Sequence, residues 1–223
     1  MEIIVNLLNE KVSVKQDVYI TTLEIFQKVK KILKEIHDDL YKKLKETKTE
    51  LELLYEDKGP FEVDLTFGGD ILVVSMHTNI FTFDEEHFLH RSNYVKEDPS
   101  RAYCGILKMY NFLKDSIKYK RNDDIGYLIG RIFVNKDEHF FVEGRRQLGF
   151  LYNDFETSKI DDNSVRKILE SAIIYCLDFD LLTPPYNTVN EMTVSEKLRI
   201  TGIGDLKTGK RLGFRFSAER DKM

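Results

Sequence analysis

Between residues 26 and 54 apolar side chains recur at steps of three and four: Phe26, Val29, Leu33, Ile36, Leu40, Leu44, Thr47, Leu51 and Leu54. That spacing lays one seam along an α-helix, with a single phase shift at Leu40–Leu44. Lys28, Lys31, Glu35, Asp38, Asp39, Lys42, Lys43 and Glu46 fall between the seam positions. Glu24–Lys28, Lys31–Glu35, Asp38–Lys42 and Asp39–Lys43 are each four apart, so the charges read first as a solvated helix face. The pattern predicts a helix over residues 17–57, stopped by Gly59-Pro60. A helix of about 40 residues is about 60 Å long at 1.5 Å per residue, longer than a compact domain of this size can cover. The seam therefore predicts self-association, with Val29, Ile36 and Leu40 against the same helix of a second chain. Residues 1–58 are read as the association element and residues 59–223 as an α+β domain.

After Pro60 the period changes from helix to strand. Phe61, Val63, Leu65 and Phe67 alternate with Glu62, Asp64 and Thr66, and Gly68-Gly69 supplies a tight turn into a strand over 70–76. "NIFTF" (79–83) is read as a third strand, and 84–99 as a loop or short helix. Residues 102–119 fit a helix by spacing and a strand by residue type. "DIGYLIGRIFVNKDEHFFVEG" reads as a second hairpin turning at Asn135–Glu138, and "RQLGFLY" as a further strand. Asp162 or Asn163 caps a helix whose stripe is Val165, Ile168, Leu169, Ala172, Ile173, Cys176 and Leu177. A last hairpin joins 196–201 to 212–217. Together these predict an α+β fold: a predominantly antiparallel sheet of about six to eight strands, a long N-terminal helix and a C-terminal packing helix.

The 223 residues, with 15 Phe and 11 Tyr, are enough for an aromatic-rich core. Cys104 and Cys176 stand in apolar surroundings, with neither zinc spacing nor a CxxC pair, as buried thiols do in a reducing compartment. No signal-peptide pattern and no run of 18 apolar residues occurs, which points to a cytoplasmic chain with no membrane partner. The net charge of −4 is mild, but residues 197–223 carry eight Lys/Arg against three Asp/Glu. A basic hairpin bearing Lys207, Lys210 and Arg211, with Phe214, Phe216 and Tyr186 nearby, suits an anionic ligand or nucleic acid. Arg145 and Arg146 are candidates for the same basic-aromatic surface.

Four stretches bear on enzymatic chemistry. "LLTPPYN" resembles the catalytic loop of amino-group methyltransferases over about six residues, with Pro184, Pro185 and Tyr186 in place. Thr183 stands where an Asp or Asn acceptor is required, and a hydroxyl offers less acceptor capacity. "GDLKTGKR" matches a phosphate-binding loop at Gly204, Gly209 and Lys210, yet Arg211 replaces the Mg²⁺-binding hydroxyl and strand patterning follows. His87 and His90 lack a third and fourth ligand of fixed spacing. A restriction-type, metal-dependent nuclease would use Asp124 or Asp137 with Glu143, followed by Arg145 in place of the usual lysine.

The leading expectation is a non-enzymatic binding or regulatory protein that self-associates and offers a basic-aromatic surface to an anionic ligand or protein partner. It calls for no cofactor and no metal. Its ligand-binding residues are Arg145, Arg146, Tyr186, Lys207, Lys210 and Arg211. The alternative is the metal-dependent nuclease with Asp124, Asp137, Glu143 and Arg145, and the third is the methyltransferase.

Overall fold

The computed structural model describes residues 1–48, 50–145, 148–183, 185–194 and 197. Its long helix begins as α1 (Glu2–Leu7), passes through a π-helical stretch (Leu8–Val12) and continues as α2 (Ser13–Glu46), with right-handed helical backbone at each junction. Six strands follow: β1 (Leu53–Asp57), β2 (Glu62–Phe67), β3 (Asp70–Met76), β4 (Gly105–Leu113), β5 (Tyr127–Val134) and β6 (Phe140–Gly144). They form one sheet in sequence order, every pair antiparallel. Short helices α3 (Asn93–Glu97), α4 (Lys114–Lys118) and α5 (Leu148–Leu151) lie between or after strands, and α6 (Asp162–Leu177) is the C-terminal packing helix. The α+β class, the antiparallel sheet and both packing helices are those expected from the sequence.

The helices α2 and α6 pack against each other and against one face of the sheet. Phe26, Val29, Leu33 and Ile36 from α2 meet Val165, Ile168, Leu169 and Ala172 from α6 over Val63, Leu65, Leu72, Val74, Leu107 and Ile132. This corrects the basis of the predicted seam. Val29 and Ile36 are buried within their own chain and Leu40 is packed at the edge of the same core. The sheet and α6, not a second copy, cover them.

The helix also ends at Glu46, short of the predicted 57. Lys48 takes a left-handed backbone (φ 53°), and Leu53–Asp57 becomes the edge strand, in register with β2 from Leu53↔Phe67 to Asp57↔Val63. By Leu44 the helix surface is largely exposed, so continuing it would bury little. Pairing with β2 instead sets Leu53 and Tyr55 against the core. Gly59-Pro60 lies in the β1–β2 turn, where Gly59 takes φ 117°. Buried Lys30 of α2 reaches across to this hairpin, donating to Asp57 Oδ1 at 2.6 Å and to the Gly59 carbonyl.

Other local expectations are settled by packing. Gly68-Gly69 forms the β2–β3 turn, with Phe67 opposite Asp70 and positive φ at Gly68, as a type II′ turn requires. The ambiguous stretch 102–119 is strand β4 followed by the short α4. "NIFTF" makes only an isolated bridge, Phe81↔Cys104. Within "RQLGFLY", Leu148–Leu151 is a helical turn rather than the expected strand, with Leu148 buried, and Tyr152 and Ser158 carbonyls then accept from the free edge of β6. α6 is capped one residue earlier than expected, by Asp161, which accepts from Ser164 N–H while Ser164 Oγ accepts from Asp161 N–H. Leu177 is exposed, off the buried stripe.

The second face of the sheet is partly covered by the excursion between β3 and β4. Leu89, Val95, Ala102 and Cys104 pack there on Ile106, Phe133 and Phe141. Asn135, fully buried in the β5–β6 turn, locks the excursion in place. Its Oδ1 accepts from Asp137 and His139 N–H, while its amide nitrogen donates to Tyr94 Oη and to the Arg101 carbonyl.

A candidate aromatic recess

One irregularity in the sheet builds the candidate site. Between β4 and β5 the register shifts: Met109 pairs with Gly130 but Tyr110 pairs with Leu128, leaving Ile129 as an extra residue. This is a β-bulge, which re-aims the side chains beyond it. Regular pairing would set Leu128 opposite Asn111; the bulge sets Tyr127 there instead. Tyr127 then lies beside Phe179, just past the end of α6, with ring centroids 5.8 Å apart. The carbonyl of Ile129 accepts from Arg145 N–H at 3.0 Å, fixing the backbone just beyond β6 at the same place.

The result is a recess of about 240 Å³ lined by Tyr110, Asn111, Gly126, Tyr127, Leu128, Arg145, Tyr175 and Phe179. Arg145 is exposed at its rim, and the four aromatic residues are part-buried. Asn111 is different. It is 2 % exposed, follows Leu107 and Met109 on the helix-facing side of β4, and its Oδ1 has no hydrogen-bond partner. An unmatched buried acceptor costs on the order of 1–3 kcal/mol.

Of the predicted ligand-binding residues that are described, Arg145 lines this recess and Tyr186 does not. Tyr186 is exposed in a 3-10 turn (Tyr186–Thr188) that follows the predicted Pro-Pro connection. Arg146, Lys207, Lys210 and Arg211 lie outside the described residues, as does the last predicted hairpin apart from Lys197. The residues that line the recess with Arg145 were not singled out from sequence. Asn111 alone carried a signal, a polar residue where the alternation of β4 calls for an apolar one.

The nuclease set is not brought together. Asp124 accepts from Ser116 Oγ at 2.6 Å in the loop before β5, whereas Asp137 sits in the turn after it. A strand of eight residues separates them, about 26 Å at 3.3 Å per residue. Asp137 accepts from Tyr94 Oη and faces Arg101, and Glu143 is paired with Arg131 across β5–β6. Among the described residues no group of three His, Cys, Asp or Glu is placed to hold a metal ion. His87 stacks on Phe83 and caps the turn at Phe88–Arg91, while His90 Nε2 bonds the Phe83 carbonyl at 3.2 Å. Among the described residues no helix is long and apolar enough to cross a membrane.

Compared with protein families, curated proteins and solved structures, the chain matches none.

Proposed function

We infer that this chain is a non-enzymatic binding protein whose basic-aromatic site is the recess at the β4–β5 bulge, and that its ligand is a small planar molecule carrying an anionic group. The observation that carries the reading is the convergence of Arg145 with Tyr110, Tyr127, Tyr175 and Phe179 on one recess. Aromatic walls with a few placed polar groups are the usual make-up of a small-molecule site. A guanidinium on the rim supplies charge and paired donors for a carboxylate or phosphate. Cys104 and Cys176 are both buried and neither is in a disulfide, which supports a reducing, cytoplasmic compartment.

Self-association belongs to the same reading, on a different surface from the one expected. No residue of Glu2–Val12 is buried, and Ile3, Ile4, Leu7, Leu8 and Val12 are all about half exposed or more. This part of the long helix is the apolar surface open to a second copy.

Calorimetric titration of the full chain with a panel of small aromatic carboxylates and phosphates tests the ligand reading. Binding by at least one of them, weakened about tenfold or more in Arg145→Ala, is the expected outcome, since a charge-assisted hydrogen bond is worth about 1.5–3 kcal/mol. Binding that ignores Arg145, or no binding across the panel, removes it.

A further inference from the structure

We propose that the open edge of β1, beside the second half of α2, is a docking groove for an extended segment of a partner protein that alternates aliphatic with basic residues. This surface is separate from the aromatic recess and stands without it. The backbone of β1 is only half used. The Glu52 carbonyl accepts from Gly68 N–H at 2.8 Å and Lys58 N–H donates to the Glu62 carbonyl at 3.1 Å. By the antiparallel alternation Leu54 and Glu56 also bond to β2, while Leu53, Tyr55 and Asp57 turn their N–H and C=O groups outward. Among the described residues nothing takes those outward groups. The opposite edge is treated differently, since Phe140 and Val142 of β6 donate to the Ser158 and Tyr152 carbonyls. Neither a bulge nor a proline interrupts β1, and the carboxylate of Asp57 is held by Lys30.

The two sides of this edge differ in character, and that selects the partner. On the core side Leu53 and Tyr55 are part-buried, and the ring of His37 on α2 stands 6.4 Å from that of Tyr55. Leu40 and Leu44 of α2 are part-exposed. Aliphatic side chains arriving there would extend the core beside α2. On the other side Glu52 and Glu56, with Glu62 and Asp64 on or beside β2, outnumber Lys58 and Lys114, and Glu56 stands directly opposite Asp64. Lysine or arginine arriving beside Glu52 and Glu56 would make opposite-charge cross-strand pairs, whereas an acidic strand would add to the repulsion. Since successive side chains of a strand point to opposite faces, one extended segment meets both demands by alternating the two residue types.

The test is fluorescence polarisation of the full chain with a labelled, acetylated heptapeptide alternating valine and lysine, beside a peptide with glutamate in place of lysine. The basic peptide is expected to bind at least about tenfold more tightly than the acidic one. Two further versions carry N-methyl groups on the valines or on the lysines. Successive residues of a strand point their N–H groups to opposite edges, so only one of the two versions should lose binding. In hydrogen exchange followed by NMR, the amides of Leu53, Tyr55 and Asp57 should gain protection when the basic peptide is added. Glu56→Lys should remove most of the preference for the basic peptide. Glu62→Lys, on an exposed side chain of β2, should reduce it too and provides a second check if Glu56→Lys folds poorly by circular dichroism. No binding of the basic peptide, equal effects of the two methylations, no protection along β1, or an unchanged charge preference in every folded variant overturns the assignment.

Discussion

Asp64 is the residue least at ease in this structure. It lies on β2, only 6 % exposed, on the face of the sheet away from α2 and α6, with Glu56 opposite it on β1 and Val73 on β3. One carboxylate oxygen is buried without a partner. Burial, with Glu62 and Glu56 nearby and only Lys58 opposing, pushes its pKa up to about 6. The folded chain therefore holds this proton in a range where the unfolded chain has released it, and stability falls as pH rises from about 4 to about 6. The shift corresponds to a penalty on the order of 3 kcal/mol above pH 6, absent below pH 4. Asp98 acts in the opposite direction and elsewhere on the scale. Its hydrogen bond from Lys136 and those from Ser100 hold it at about 2, so its contribution is present above pH 4 and is lost as pH falls toward 2. Chemical denaturation of Asp64→Asn should show a stability gain over the parent chain at pH 7 that vanishes at pH 4. An equal difference at both pH values would show that Asp64 is not titrating between them. None of this was legible in the alternating pattern, where Asp64 reads as an ordinary outward polar residue; what buries it is its place inside the sheet, between β1 and β3.

At the level of elements, the sequence was most informative where one local rule decided the outcome. The Gly68-Gly69 hairpin, the β5–β6 hairpin and the stripe of α6 all follow from turn chemistry or periodicity. It misled where two rules competed. Leu51 and Leu54 continue the helical spacing, yet 53–57 gains a full ladder with β2 and a place over the core by becoming a strand. Tertiary pairing outweighs a local period of that length. The closeness of α2 to the sheet has a further requirement that periodicity does not show. A Cβ on Gly105 would stand 2.0 Å from Thr22 Oγ1 and 2.7 Å from Thr22 Cβ, and Thr22 is fully buried with its hydroxyl donating to the Val18 carbonyl at 2.6 Å. Gly105→Ala should thus push α2 off β4 and cost about 1–3 kcal/mol, the usual range for overpacking. In a thermal melt that is a drop of roughly 2–4 °C per kcal/mol for a chain of this size. Thr22→Ala should recover part of the loss in the double variant, and strictly additive effects would contradict the contact as the cause.

On the scale of the whole molecule, the candidate recess is an assembly of distant parts, which is why it escaped a reading along the chain. Tyr110 and Asn111 come from β4, Tyr127 from beyond the bulge of β5, Arg145 from the end of β6, and Tyr175 and Phe179 from the end of α6. No spacing rule links them; the antiparallel order does. The long helix poses a related case: a helix was legible, but it was expected over 17–57 and is found over 2–46, and its use was not legible. From Glu2 to Glu46 it spans about 68 Å at 1.5 Å per residue, but its buried residues run only from Val18 to Ile36. The first turns, Glu2–Val12, extend past the core with their apolar side chains exposed. A second copy is the partner this segment suits. An antiparallel pair about a twofold axis between Asn6 and Leu7 would set Glu2 of each chain level with Lys11 of the other, and such an axis needs only one self-complementary patch. Sedimentation at micromolar concentration should therefore give twice the 26.2 kDa of the chain, and Leu7→Asp with Leu8→Asp should return it to one copy with the fold intact. Ile36→Asp separates this from the seam read off the sequence: Ile36 is 3 % exposed inside its own chain, so a charge there should unfold the protein rather than dissociate it. A mass of 26.2 kDa at every concentration, or a folded monomer from Ile36→Asp, would rule out the pairing through Glu2–Val12.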